Sequence, residues 1–402
     1  MFEFNPLSPE FKSNPYPFYE TLRTTAPLVY WEQWNMWFVT HYDTSVALLK
    51  DNRLGHELLS VMTREQLGVG EPPANQIPLV EMQSAWMLFR DPPTHTRLRM
   101  LVHKAFTPRM IEQLRTRIQS ITDSLEDAAL AQGEMDVIAD LAAPLPVMVI
   151  AEMLGVPESD RHLFPGWSRD LAYTLELTEA ADIYDKAAVA SVDFSAYLRD
   201  LAHARRKNPQ PDLMSALVAA EDQGDKLTEQ ELISTCILLL LAGHETTTNL
   251  IGNGILALLR NPDQLEKLKA QPELGRSAIE ELLRYDSPVQ MTGRAALHDV
   301  EFDGRQIKQG MQVSFMLGAA NHDPAVFENP EKLDITRDPN PHLSFSNGIH
   351  YCLGAPLARM EGQIAIQTLL RCAPEISLLN DNPTYRETWV LRGLEALSVK
   401  LG

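Results

Sequence analysis

Cysteine is scarce, with three in 402 residues. Cys236, Cys352 and Cys372 cannot all pair with one another, and so few exclude a disulfide scaffold. A reducing, cytoplasmic setting is the expectation. Basic charge is also in deficit: 35 Lys and Arg stand against 54 Asp and Glu, a formal net charge of −19. So acidic a chain lacks the basic surface on which nucleic-acid binding depends, and its charge reads as a source of solubility. Long apolar runs are missing. Leu141–Met153 is interrupted by Pro144 and Pro146, and Cys236–Ala242 stops at Gly243; both fall short of the roughly 20 residues a spanning helix needs. The N-terminal MFEFNPLSPEFKSNPYPFYE has no basic segment leading into an apolar one, so neither signal peptide nor membrane anchor is expected. There is no repeat, low-complexity tract or clear linker. Length alone suggests domains of roughly 150 residues, but with no boundary in view one domain over 1–402 is expected.

What is present is mostly helical. Pro108 opens a helix whose Ile111, Leu114, Ile118 and Ile121 share one face. Further helices are expected over 43–49, 145–154, 177–206 and 356–372. Thr228-Glu229-Gln230-Glu231 is a capping box that starts a long apolar helix. That helix ends near Asn261-Pro262, where Asn261 is placed to cap the next one. Residues 61–88, with Gly68, Gly70, Pro72, Pro73 and Pro78, read as a long irregular loop. Strand-like runs appear at 37–40, 295–302, 312–315 and 395–399. The expected class is mainly α with small β-sheets.

The most informative segment is Phe345-Ser346-Asn347-Gly348-Ile349-His350-Tyr351-Cys352-Leu353-Gly354. A glycine-bracketed loop presents a cysteine just ahead of a helix, whose N-terminal dipole favours a thiolate. Such a thiolate serves as axial ligand to a haem iron and promotes O–O cleavage. Gly348 and Gly354 would let the backbone approach a flat cofactor. Cys236 and Cys372 read as buried structural residues.

This segment resembles the haem-binding loop of the cytochromes P450, and the resemblance extends along essentially the whole chain. It implies the P450 fold, with haem b held between a long oxygen-activating helix and the helix after the cysteine loop. Ser346 stands where the family usually has glycine, and His322, in Asn321-His322-Asp323-Pro324, where it usually has arginine.

The long helix carries Ala242-Gly243-His244-Glu245-Thr246-Thr247-Thr248. Consecutive β-branched residues are weak helix formers, and a local distortion is expected there. The segment resembles the P450 acid–alcohol motif. O2 activation takes two protons, and a hydroxyl at Thr246 with a carboxylate at Glu245 would supply them. On the residues alone, hydroxyls bonded back to the preceding turn are the better explanation of the threonines. Glu281 and Arg284 lie at i, i+3, a common surface pattern by itself. By its order in the chain it resembles the family's ExxR motif, and Arg337 would complete a structural lock.

The resemblance assigns His95, Arg99, Arg294 and His350 to the haem propionates. It also puts Phe345, Gly348, Gly354, Ala242 and Gly243 against the haem. The substrate pocket would be formed by Met87, Leu88, Leu238, Val289, Gln290, Thr292, Val390 and Leu391. Most of these are apolar, which suits a fatty acid, terpenoid, steroid or polyketide. Nothing resembles a flavin or nicotinamide domain, so electrons from NAD(P)H would arrive through a separate reductase and a ferredoxin or flavodoxin. Residues 90–117 hold Arg90, Arg97, Arg99, Lys104, Arg109, Arg115 and Arg117 against Asp91 and Glu112, a basic stretch suited to an acidic partner. The expected protein is a monomeric monooxygenase. Its rivals are a peroxide-driven enzyme needing no redox partner and a haem protein that only senses or carries a ligand.

Overall fold

The computed structural model describes Asn5 and residues 8–176, 181–221 and 227–402. Its principal helices are α1 (Tyr16–Thr25), α2 (Ile77–Ser84), α3 (Thr94–Ala105), α4 (Pro108–Leu130), α5 (Pro144–Met153), α6 (Phe164–Ala172), α7 (Ala181–Lys207), α8 (Glu229–Arg260), α9 (Gly275–Tyr285) and α10 (Ala355–Cys372). The first residues of the helical stretch expected over 177–206 lie outside the described residues.

The axis of the molecule is α8. Its capping box forms as expected: Thr228 Oγ1 accepts from the Glu231 amide at 3.2 Å, and the Glu231 carboxylate accepts from the Thr228 amide at 2.8 Å. Almost every residue from Leu232 to Leu258 is buried, each large apolar side chain adding about 1.5–3 kcal/mol. Around it pack α5, α6, α9 and α10. Small residues set the close crossings. A Cβ on Gly252 would lie 2.4 Å from Ile138, and one on Gly362 of α10 would lie 2.9 Å from Leu250. The largest apolar cluster draws side chains from Leu79 through to Leu401, so the two halves of the chain share one core.

The strands are β1 (Leu28–Trp31), β2 (Met36–Val39), β3 (Leu54–Gly55), β4 (Glu134–Asp136), β5 (Thr292–Ala296), β6 (Val300–Phe302), β7 (Arg305–Ile307), β8 (Gln312–Phe315), β9 (Ser377–Leu378) and β10 (Ser398–Lys400). Five form one sheet in the order β1-β2-β8-β5-β3, with only β2 and β8 parallel. This sheet covers a second apolar cluster that includes Trp37, Val313 and Phe315. Three others form the sheet β4-β10-β9. Among the described residues no helix is long and apolar enough to cross a membrane.

Several local expectations need correction. Residues 61–88 contain helices at Arg64–Leu67 and Ile77–Ser84; Pro78 lies in the first turn of α2, where a missing N–H costs nothing. Asn261 holds the N-cap position of the following helix, with Pro262 in its first turn, but its side chain makes no capping bond there. Its Nδ2 donates 2.8 Å back to Ala257 O and so closes α8. The run 295–302 is broken by a turn into β5 and β6, and 395–397 precede β10 rather than belong to it. The threonine segment of α8 runs on as an unbroken α-helix. The distortion lies instead in the neighbouring 137–142, a single π-helical turn, whose Ala142 carbonyl accepts 3.0 Å from Thr248 Oγ1.

The Glu281–Arg284 pair is not a surface pair. Both residues are fully buried, and Arg284 meets both carboxylate oxygens at 2.8 Å. Arg284 also donates to the carbonyls of Asn321, Pro330 and Lys332. Arg337 Nε and Asn340 Nδ2 each reach Glu281 at 3.0 Å, and the Asp334 amide reaches it at 2.9 Å. These contacts tie α9 to the loop that leads into the cysteine segment. Arg284→Ala would break a buried ion pair and leave the carbonyls of Asn321, Pro330 and Lys332 without this donor, a loss of about 3–5 kcal/mol. Thermal denaturation should report a large fall in Tm, and an unchanged Tm would mean the cluster is not what holds that loop.

Candidate active site

The cysteine loop is held from both ends. The Cys352 amide donates 2.9 Å to Phe345 O, and Ser346 N donates 2.7 Å to Leu343 O. Between these contacts the backbone turns through two left-handed residues, Ser346 at φ 60° and Gly348 at φ 72°. Gly348 is required there because a Cβ would lie 2.7 Å from Leu49 O. It therefore serves the packing of the loop on the chain. Gly354 is different: a Cβ there would have Cys352 Sγ as its nearest described neighbour, at 3.9 Å.

The Cys352 sulfur sits where the amides of Gly354 and Ala355 meet it at the start of α10, with Arg99 and Arg359 nearby. Burial pushes its thiol up, and these amides and guanidinium groups pull only part of the way back. A cation bound at the sulfur would favour the thiolate further. Arg359 also stacks over the Phe345 ring at 4.5 Å.

On α8 one stripe stands open. Leu239, Ala242, Gly243 and Thr246 are the partly or fully exposed positions within the buried span, and they recur at helical spacing. Leu239 shares the stripe, whereas Leu238 is buried in the core. Gly243 lies at its edge, and a Cβ there would collide with Ile150 of α5 at 2.1 Å, so this glycine serves a helix crossing. Thr246 Oγ1 donates 2.6 Å to Ala242 O, the bond back to the preceding turn that the sequence allowed. Its lone pairs remain able to accept a proton donor.

Glu245 points another way, as a rotation of about 100° per residue dictates. It is buried and ion-paired with Arg386. Arg386 had no sequence signal; it comes from the C-terminal segment, 141 residues away. The two line a small polar cleft with Arg169, Tyr173, Glu176, Asn249, Thr388 and Leu391.

Four basic residues converge beside the cysteine loop, together with one the sequence did not flag. His95 and His350 have ring centroids 4.4 Å apart, and His56 lies 5.0 Å from His350. Asp91 accepts from the amides of His56 and Glu57 at 2.8 Å and so sets His56 in place. Arg294 is buried and, among the described residues, donates only to Gly293 O and Thr292 Oγ1; Arg99 donates to Tyr351 O. Burial, then the charge of Arg294, depresses His56 to about 3 and His350 to about 2. Burial likewise lowers His95 and brings Arg294 down to about 10. Both ring nitrogens of His95 and the Nε2 atoms of His56 and His350 are buried without a partner. Unpaired buried donors beside two guanidinium groups make a cradle for carboxylates. With the cysteine sulfur next to it, this set fits a haem and its propionates.

The pocket residues divide. Met87, Leu88 and Leu391 lie on the main cluster, and Val289 bridges Leu391 backbone to backbone. Thr292 is half-buried in β5. Gln290 is fully buried elsewhere: its amide donates to Ser287 O, and Gly318 lies tight against it. Val390 packs with Phe11, Tyr19 and Trp389. Of the two family departures, His322 stacks on Tyr16 at 4.2 Å and bonds Gly318 O through Nδ1.

A family model described as cytochrome P450 matches residues 176–372. The biotin biosynthesis cytochrome P450 of Bacillus subtilis (strain 168) is 43% identical over 394 residues, covering 98% of this chain and 97% of the relative. The polyketide biosynthesis cytochrome P450 PksS of the same organism is 43% identical over 407 residues, covering 99% and 98%. The crystal structure of P450BioI in complex with hexadec-9Z-enoic acid ligated acyl carrier protein superposes with a TM-score of 0.91 at 43% identity, covering 98% of this chain and 99% of that one. The chain belongs to the cytochromes P450. It is an oxidoreductase of the haem monooxygenase type, using haem b, O2 and electrons supplied through a reductase.

Ser346 provides a local test. A side chain at positive φ costs roughly 1–2 kcal/mol, and its Oγ is buried without a partner. Ser346→Gly should raise stability by about 1 kcal/mol after the entropy of the more flexible unfolded chain is subtracted. A measured loss of stability would mean that the hydroxyl has a partner in the haem-loaded protein.

Proposed function

We propose that this P450 inserts one atom of O2 into a hydrophobic small molecule, with Cys352 as the axial ligand of its haem. The observation that carries the reading is the Cys352 sulfur beside a cradle of imidazole nitrogens that have no partner among the described residues, flanked by the Arg99 and Arg294 guanidinium groups. Bound there, haem supplies the activation of O2. His95, His350, Arg99 and Arg294 bind the propionates, and Phe345 and Gly354 flank the ligand. Thr246, on the open stripe, accepts a hydrogen bond from the oxygen-bearing partner and holds a proton at Oγ1. Glu245 passes protons inward from the water of the polar cleft, and Arg386 holds its carboxylate in place. The open stripe with Met87, Leu88, Val289, Thr292 and Leu391 makes an apolar wall, which suits a fatty-acid, terpenoid, steroid or polyketide substrate. A single-domain chain is favoured by the shared core, and a cytoplasmic location by the three free thiols. A monomeric state belongs to the same proposal.

The electron donor in this reading is a ferredoxin or flavodoxin. Met100, Ile349 and Tyr351 are exposed on α3 and the cysteine loop, which Arg99 joins by its bond to Tyr351 O. Much of the basic stretch expected over 90–117 is already neutralised: Arg90 by Glu57, Arg97 by Glu231, Arg115 by Glu112 and Arg117 by Glu152. Lys104 and Arg109 have no ion pair among the described residues, so they supply the free charge for an acidic partner.

The reading is tested by reducing the protein, adding carbon monoxide and recording the difference spectrum. A strongly red-shifted Soret band is expected, and its absence would remove Cys352 as the ligand. In the same preparation Thr246→Ala should consume electrons while losing about 10²-fold or more of its coupled product; undiminished coupling would leave Thr246 with a structural role only. Lys104→Glu should slow ferredoxin-driven turnover by about tenfold at low salt and leave peroxide-driven turnover unchanged. Equal loss in both assays would count against the docking face.

A further inference from the structure

The C-terminal loop 388–392 passes between the sheet side and the helical side of the molecule. On one edge it pairs with the segment after α9: the Gln290 amide donates to Val390 O and the Arg392 amide to Pro288 O, each at 2.8 Å. On the other edge three consecutive amides are left over. The Trp389 and Val390 amides donate to one oxygen of Glu176 at 2.7 and 2.8 Å, and the Leu391 amide donates to the other at 2.9 Å. Successive N–H groups directed at one point form a concave site for an anion. Here the anion is a carboxylate of the same chain, only 8% exposed.

Glu176 lies just beyond α6, where Tyr173–Leu175 ends that arm. The helix is fastened to α8 farther back, by Ser168 Oγ to His244 Nδ1 at 3.0 Å. Glu176 is the fastening on the C-terminal loop. Among the described residues its hydrogen-bond partners there are three backbone N–H groups and no cation, although Arg169 and Arg386 share the cleft. Burial pushes its carboxyl up, and the three amides pull it back. A carboxylate so placed is strongly held while it stays in the nest. Leaving the nest strands three buried donors at the same moment.

We infer that Glu176 is a positioning residue for substrate selection, a latch that couples the α6 arm to the loop carrying Leu391. With the latch closed, Leu391 is fixed against its bridge to Val289 and sets the height of the pocket wall. When the α6 arm lifts, the loop loses its anion, and both walls loosen together. The inference rests on the reading that Leu391 lines the substrate space. It makes large ligands sensitive to Glu176 and leaves small ones indifferent.

The test uses the haem-loaded protein and two azoles read by their Soret shift. Imidazole occupies the iron position alone, and clotrimazole fills the space above it. Glu176→Gln keeps the shape, removes the charge and turns an N–H donor towards the loop amides. It should change the dissociation constant of clotrimazole by about tenfold and that of imidazole by less than about twofold. An unchanged clotrimazole constant, or equal changes for both azoles, overturns the latch. Leu391→Ala separates the two ideas. If it shifts clotrimazole binding and Glu176→Gln does not, the latch alone fails. If Leu391→Ala has no effect, the pocket reading beneath it fails. Hydrogen–deuterium exchange on the unmodified holoenzyme needs no variant. Peptides covering 164–176 and 386–394 should change protection together when clotrimazole binds, and a change in only one, or in neither, overturns the coupling.

Discussion

The buried guanidinium of Arg284 is the constraint around which the site is organised. A cation that has left water must have all five of its N–H donors satisfied. Here the partners come from its own helix, through Glu281, and from the carbonyls of Asn321, Pro330 and Lys332. Those carbonyls belong to chain that has little regular structure of its own. The ion cluster fixes it, and with it the approach to the cysteine loop. Asn321 extends the same network: its Oδ1 accepts from the Leu343 amide at 2.7 Å, and its Nδ2 donates to Ser287 and Ser344. Leu343 O in turn accepts from Ser346, the residue that begins the turn to Cys352. A chain of buried polar contacts thus runs from α9 to the sulfur.

Around that anchor the chain holds together three environments of different polarity. The open stripe of α8 is apolar apart from the Thr246 hydroxyl. The cradle of His56, His95, His350, Arg99 and Arg294 is rich in donors that have no protein acceptor. The cleft of Glu245, Arg386 and Glu176 is ionic. The 100° step between Glu245 and Thr246 is what lets one helix serve two of these environments. The C-terminal segment reaches the ionic cleft from the opposite end of the chain. It supplies Arg386 to the acid and the amide nest to Glu176.

Much of this was legible in the residue order because it is local. The capping box of α8, the proline that opens α4 and the strand at 312–315 each depend on neighbours a few positions apart, and each appears where expected. The glycine-bracketed cysteine and the acid–alcohol pair were legible as motifs. The misses share a cause. Pro78 looked like a breaker because its place in a first helical turn depends on where the helix starts. The close neighbours that require glycine at 243 and 348, Ile150 and Leu49, were not foreseen either. Nothing in the order of residues identifies such a neighbour.

The sequence by itself determined the class of helices and small sheets, the cysteine and the acid–alcohol pair, since these rest on spacing within single elements. Only the tertiary structure decided that Glu281 and Arg284 are buried rather than solvated. It alone brought His56 to His350, Arg386 to Glu245 and Glu176 to the amides of 389–391. Each of those contacts joins groups far apart in the chain, and in the last two a buried charge or donor has found its partner. Which partner it finds is fixed by how the helices pack, and packing is a property of the whole core.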